Sequence, residues 1–460
     1  MKSVSVTGKK WLFKEFNAED VNYIKENFSL DEIISKLVAI KKIKKHDIKN
    51  YLNPSIKNIL PNPDILIDMQ KTSKRVAQSI VNNDTIGVFG DYDVDGASST
   101  ALLGQYFNEI KRSFKIYIPD RRSEGYGPSI KGFDNLINRG ANLIITVDCG
   151  TLSYKPLDYA KNKNIDVIVL DHHQSEIKLP NAYSIINPNR LDDESKLNYL
   201  CASGVCFLFL VSLNRSLRKL NWFKNNNIPE PNLISYLDLV SLGTICDVVP
   251  LIGINRAIVK QGLKVLQNRK NLGLKTLLDI CKVESKPNTY HLGFIIGPRI
   301  NAGGRVGKCS HGANLLLNIN PKDAFKLASE LEVFNTERKI LEKKLLKEVV
   351  DGIEYTEDPV LVLNGKNWHE GIIGIIAARI KEKFNKPTVV ISVGEKFGKA
   401  SARSIFGYDI GSVIISAVQQ GILLKGGGHK MAGGFSIDIS KIEIFKEFAN
   451  KKFKSLNANL

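Results

Sequence analysis

The sequence has no CxxC pair. Its six cysteines, Cys149, Cys201, Cys206, Cys246, Cys281 and Cys309, stand apart, which argues against a thiolate zinc site. Several lie in apolar runs, where a free thiol packs like a small hydrophobe. That usage suits a reducing compartment, so a cytoplasmic protein is expected. Long apolar runs are also missing. The most apolar stretch, Cys206 to Leu213, is far shorter than the roughly 20 residues that cross a bilayer. The start, MKSVSVTGKKWLFKEF, lacks the apolar segment of a secretory leader, and no membrane partner is expected. There is no internal repeat and no low-complexity tract. Acidic residues are in short supply: 47 Asp plus Glu face 65 Lys plus Arg, for a net charge of +18. Such an excess raises the odds of a polyanionic partner. A Lys-rich, AT-biased coding sequence would give the same excess, so charge counts only where it agrees with a site.

What is present is ordinary globular composition, 43% hydrophobic and 24% charged over 460 residues. At about 100–200 residues per domain, two or three domains are expected. Residues 1 to about 83 read as helical and basic. Ser29-Leu30-Asp31-Glu32 has capping-box spacing and predicts a helix start. From residue 84, β-rich runs at 85–90, 114–119, 142–147 and 166–170 alternate with helical text near 97–110, 129–139 and 154–163. That alternation predicts an α/β unit with a parallel sheet covered on both faces. Residues 203–285 read as mostly helical. Residues 321–355 have no internal Pro or Gly before Gly352, and Pro321 suits a first turn. One long connecting helix is predicted, followed by a smaller α/β unit. Its expected pieces are strands 360–364, 388–392 and 399–403, helices 371–384 and 409–420, and a Gly-rich turn.

Acidic residues, scarce overall, are concentrated where strands end. GDYDVDG places Asp91, Asp93 and Asp95 after the first apolar run, and strand alternation points them roughly one way. The second run ends at Asp148-Cys149-Gly150 and the next at Asp171-His172-His173. Ligands of open α/β sheets bind beyond the carboxyl ends of the strands. Two carboxylates about 4 Å apart repel by roughly 4 kcal/mol at an effective dielectric of ~20, so such a cluster needs a cation or protons. Mixed carboxylate and imidazole suits Mn²⁺ or Mg²⁺. A fourth candidate is Asp247, in GTICDVVPL. A phosphate-cradling loop is disfavoured, because neither GxGxxG nor GK[ST] follows the strand.

GDYDVDG, VDCG, DHH and GTICDVVPL, in that order, resemble the four motifs of the DHH phosphoesterase superfamily. IPDRRSEGYG at 118–127, IGPRINAGGRVG at 296–307, WHEGIIGIIAARI at 368–380, SARSI at 401–405 and GGGHKMAGGF at 426–435 extend the resemblance to its bacterial RecJ branch. The resemblance implies a parallel-sheet DHH domain at 84–320, a connecting helix at 321–356, a smaller α/β DHHA1 substrate-binding domain at 357–440 and a helical tail at 441–460. It implies a single-strand-specific 5′→3′ exonuclease of DNA repair and recombination, working by a two-metal mechanism with Mn²⁺ or Mg²⁺. Asp91, Asp93, Asp148, His172 and Asp247 are then the metal ligands, with Asp148 shared. Asp95, Asp171 and His173 support them or face substrate. Arg299, Asn301 and Arg305 lie near the strand backbone. Ser401, Arg403 and His429, with the backbone of Gly426, Gly427 and Gly428, line a phosphate site. Arg121, Arg122 and Tyr126 are looser candidates for DNA contact. The expected partners are single-stranded DNA, a single-strand-binding protein and a helicase.

Two departures from the family pattern are expected: Gly87 stands where several DHH branches carry a His four residues before the first Asp, and the text after Phe435 leaves no room for a C-terminal OB-fold. Two other readings remain. One is a small-substrate DHH phosphodiesterase acting on nano-RNA or cyclic dinucleotides, which the N-terminal region and NAGGR segment disfavour. The other is an inactive DNA-binding replication scaffold, disfavoured because every expected Asp and His is present.

Overall fold

The computed structural model describes residues 5–6, 11–353 and 357–457. The last residues assigned to the connecting helix, 354–356, lie outside them, as do 1–4, 7–10 and 458–460. Strands β1 (Ile86–Gly90), β2 (Phe114–Tyr117), β3 (Leu143–Val147), β4 (Asp166–Leu170) and β5 (Ser184–Ile186) form one sheet in the order β2-β1-β3-β4-β5. Every pairing in it is parallel.

Successive strand residues point to opposite faces, and here both faces are buried. Val88, Ile145 and Ile168 pack with the helices Met69–Val81, Val94–Glu109 and Ala202–Lys219. Phe89, Ile144 and Val167 pack with Ile130–Asn138 and Tyr154–Asn162. Each such side chain contributes about 1.5–3 kcal/mol by leaving water. This is why the central strands read as continuous apolar runs rather than alternating ones. Strand β5 was not anticipated, since three residues carry no periodicity.

The connecting helix spans Pro321–Asp351, with Asn320 capping its first turn. Its two ends belong to different cores. Ala324, Ala328 and Leu331 are buried in the first unit. Leu345 and Val349 pack with Ile373 and Ile376 against Leu361 and Val390 in the second. The second sheet contains β6 (Leu361–Lys366), β7 (Thr388–Val393), β8 (Phe397–Arg403), β9 (Lys425–His429) and β10 (Ala432–Asp438) in the order β6-β7-β8-β10-β9. Only β6 and β7 run parallel; the other pairs are antiparallel.

Three local expectations need correction. Ser29 is not the cap of the second helix. It ends the helix Ala18–Phe28 in a left-handed conformation, and Asp31 Oδ1 instead accepts from Ile34 N. The Gly-rich segment is not a turn but the β9–β10 hairpin, whose glycines allow close backbone approach: a Cβ on Gly428 would stand 2.5 Å from Gly433 Cα. The helix Ile442–Asn457, set apart as a tail, is integral to the second core. Ile442, Phe445 and Ala449 are buried there, and Asn450 Oδ1 accepts from Val360 N at 2.9 Å.

Candidate metal centre and nucleic-acid cleft

Adjacent parallel strands lie about 4.8 Å apart, so residues just past β1, β3 and β4 meet at one sheet edge. Asp91 follows β1, Asp148 follows β3, and Asp171, His172 and His173 follow β4. Asp247 arrives from elsewhere, as the C-cap of the helix Leu237–Cys246. Three sets of side chains converge with ligand atoms within 4.8 Å of one another: Asp91, Asp93 and Asp148; Asp148, His172 and His173; and Asp95, His172 and Asp247. His172 spans two of them, with Nε2 at 3.2 Å from Asp148 Oδ1 and Nδ1 at 3.6 Å from Asp247 Oδ2. Asp148 itself sits at φ 61°, a left-handed conformation that Asp tolerates better than most residues.

Strand alternation does not orient the first three carboxylates, because the strand has ended at Gly90. Asp93 is the N-cap of Val94–Glu109, and its Oδ1 accepts from Asp95 N and Gly96 N. Asp95 lies in the helix and turns inward. Its carboxylate takes Ala202 N at 2.6 Å and Ser203 N at 3.0 Å, capping the distant helix Ala202–Lys219. Gly96 is required at its position, since a Cβ there would stand 2.6 Å from Asp91 O.

The residues behind the cluster are tied down. Asp171 accepts from Thr151 N, His172 N, His173 N and His173 Nδ1. Burial would raise its pKa, but the His173 hydrogen bond and charge outweigh that and hold Asp171 ionised. The same pairing works on His173: burial lowers it, yet the bond to Asp171 takes it up to about 9. Asn187 and Asn189 donate to the carbonyls of His173 and His172. Sequence reasoning missed both asparagines, whose only local signal was a position just beyond the short β5. Tyr126 O–H donates to Asp148 O at 2.7 Å.

These residues fit a divalent cation. Asp91 Oδ1 and Asp148 Oδ1 are buried and accept no hydrogen bond, which is costly for an anion lacking a counter-charge. Burial first, then neighbouring carboxylates, push Asp91 and Asp148 well above the usual range. Asp247 is pushed up to about 8 by burial, then by Asp95 and Asp93. An oxygen-rich set with one imidazole matches Mn²⁺ or Mg²⁺.

Beside the cluster opens a cavity of about 750 Å³, reaching both units. Arg121, Arg122, Tyr126, Arg305, Ser401 and Arg403 line it. Arg121 lies over the Tyr92 ring at 5.5 Å, and Arg122 Nη2 meets His369 Nε2 at 2.6 Å. Arg305 Nη1 donates to Gly371 O at 3.1 Å. A side chain at Gly371 would collide with Arg305 O, so glycine there lets the two units close up. Burial, then Arg121, Arg338 and Arg403, brings Arg305 down to about 10. Tyr92, Lys399 and Lys425 also line the cavity; they were not singled out from sequence.

Other expected substrate residues lie elsewhere. Arg299 is committed to the scaffold, donating to Ile295 O and to Glu332 of the connecting helix. Asn301 is outside the cavity lining, as are Gly427, Gly428 and His429. Of that glycine run, Gly426 lines it, with Gly434 and Ser436 from β10. His429 is at the far end of β9 and exposed.

Comparison with known proteins agrees with this geometry. The DHH family, N-terminal domain, matches residues 85–244, and the DHHA1 domain matches 357–455. The single-stranded-DNA-specific exonuclease RecJ of Escherichia coli is 37% identical over 408 residues, covering 86% of this chain and 70% of that protein. The chain belongs to the RecJ family. The RecJ of Salmonella typhimurium is 39% identical over 372 residues, 78% of this chain and 64% of that one. RecJ from Thermus thermophilus, solved with Mn²⁺, superposes with a TM-score of 0.79 at 27% identity, over 96% of this chain and 61% of that one. It has also been solved with Mg²⁺. The chain thus spans less than two thirds of some RecJ relatives. Among the described residues, no helix is long and apolar enough to cross a membrane.

Proposed function

We propose that this chain hydrolyses phosphodiester bonds of single-stranded DNA from the 5′ end, with Asp91, Asp93, Asp148, His172 and Asp247 holding two divalent ions. The observation that carries this reading is the pair of buried carboxylate oxygens on Asp91 and Asp148 that accept no hydrogen bond, beside a cavity lined by arginines. Asp148 belongs to two of the three clusters, which supports its role as the shared ligand. Bound ions would supply Lewis acidity and an activated water at neutral pH.

The chain's own residues account for the rest. Asp171 orients His173 through Nδ1 and, through the backbone, sets the His172 loop. Asp95 anchors the helix Ala202–Lys219 and so braces the sheet edge. Arg121, Arg305 and Arg403 bind phosphate oxygens; guanidinium forks suit that geometry. Ser401 Oγ, 3.2 Å from Arg403 Nη1, positions that fork. Repair and recombination are the processes that use such an activity, with a single-strand-binding protein and a helicase as partners. The deciding experiment is digestion of end-labelled single- and double-stranded DNA with Mn²⁺, Mg²⁺ or EDTA. Metal-dependent shortening of the single strand from its 5′ end supports the reading, and activity in EDTA or on a dinucleotide alone overturns it.

A further inference from the structure

Among the described residues outside the cavity, two large aromatic side chains stack on each other in solvent. Tyr290 is 58% exposed and Phe294 70% exposed. Their rings stack with centroids 5.2 Å apart and 22° between planes. Single exposed apolar side chains are ordinary, but two stacked rings left in water are not needed for packing. They stand on a π-helical turn, His291–Ile296, with Tyr290 as its N-cap. Such turns are rare and concentrate at functional sites.

The turn is held from several directions. Asn288 Oδ1 accepts from Tyr290 N at 3.0 Å and His291 N at 3.3 Å. Arg299 Nη1 donates to Ile295 O at 2.7 Å while its Nε engages Glu332. Leu292 and Ile296 are buried beneath. Cys246 Sγ donates to Leu292 O at 3.4 Å, and Gly293 abuts Ile245. The backbone that carries the rings is therefore fixed in advance, which lowers the entropy lost on binding. The contact with Cys246 also brings the turn close to the metal centre, because the next residue is Asp247. Val248 follows, 85% exposed at φ 59°, a conformation that β-branched residues rarely adopt away from functional sites.

We propose that Tyr290 and Phe294 form a stacking platform for a base of the single strand at the margin of the metal centre. This deepens, and rests on, the nuclease reading above. Flat aromatic faces accept any base, which suits an enzyme moving along a strand without reading it. The loop entering the turn carries exposed Lys282 and Lys286 around one exposed carboxylate, Glu284, a net positive charge beside the rings in the chain. The platform lies outside the cavity lining, so it grips the strand independently of the 5′-phosphate.

The test compares binding, with Mn²⁺ present, of two strands of equal length and non-hydrolysable linkages: one bearing bases, one fully abasic. Phe294→Ala and Tyr290→Ala each weaken the base-bearing strand about tenfold and leave the abasic strand unchanged. A 2-aminopurine in the strand loses its stacking-induced quench, and Phe294→Trp restores both readouts. Unchanged affinity for the base-bearing strand overturns the proposal, as does an equal loss on both strands. Wild-type digestion of single-stranded DNA, measured in parallel, judges the nuclease reading separately. Failure there overturns that reading, while the platform is decided by the binding ratio alone.

Discussion

The acidic and basic poles of the site are built on the same physical tension with opposite sign. At one, two parallel strand ends and a helix N-cap hold Asp91, Asp148 and Asp93 within 4.8 Å of one another, and burial with Asp95 and Asp93 lifts Asp247 to about 8. At the other, burial with Arg121, Arg338 and Arg403 drops Arg305 to about 10. Neither pole is content alone. A metal-bound phosphodiester supplies what each lacks, cations for the first and an anion for the second. The two poles are also made differently. The acidic one is assembled within the first unit, from the ends of parallel strands and of the helices Val94–Glu109 and Leu237–Cys246, whereas the basic one needs both units to meet at Arg305 and Gly371.

That contrast can be broken pole by pole. The largest effect is expected from Asp148→Asn, which should reduce hydrolysis by about 10²-fold or more. In EDTA the same variant should melt no lower than wild type, because it removes a buried like charge. A variant that cuts normally would show that Asp148 holds no essential ion, and one that unfolds would show that Asp148 is structural. Next, Mn²⁺ at a hundredfold excess over its dissociation constant should stabilise the wild type by about 2.7 kcal/mol. Calorimetry should show this gain surviving in Arg403→Ala and missing in Asp148→Asn.

The basic pole should give a smaller, end-specific effect. Arg403→Ala should lower kcat/KM on 5′-phosphorylated strands by about 10–100-fold, and less on 5′-hydroxyl strands. His429→Ala should stay within about twofold, because that residue is exposed and outside the cavity lining; a deficit equal to that of Arg403→Ala would restore His429 to the site. The smallest effect concerns Asp238, a buried carboxylate outside both poles that accepts from Leu239 N at 2.8 Å. Burial takes it from 3.8 up to about 7. An acid raised on folding contributes stability below its unfolded pKa and loses it as pH rises through the folded value. Stability should therefore fall by up to about 1.4 kcal/mol per pH unit between about 4 and 7. Asp238→Asn should flatten that slope in pH-dependent unfolding.

Much of the acidic pole was legible in the text. An apolar run followed by Asp is a local signal, and β1, β3 and β4 each end in one. Asp247 carried no strand signal and was placed only by motif order. Less of the basic pole was legible. Arg299 and Arg305 share a helix and a motif, yet one faces Glu332 and the other the cavity; a rotation of a few residues around a helix decides this. The glycine run was visible, but not that it pairs as a hairpin, since its long-range register with β8 sets that.

By itself the sequence determined the parallel sheet, the long helix and the carboxylates at strand ends, because backbone periodicity and chain breaks are written residue by residue. Only the tertiary structure decided that Asp95 caps a helix more than a hundred residues away, that Arg299 braces a π-turn, and that the final helix completes a core. Each of these depends on which polar group or apolar face the rest of the chain brings within reach, and a competition among distant partners leaves no trace in local spacing.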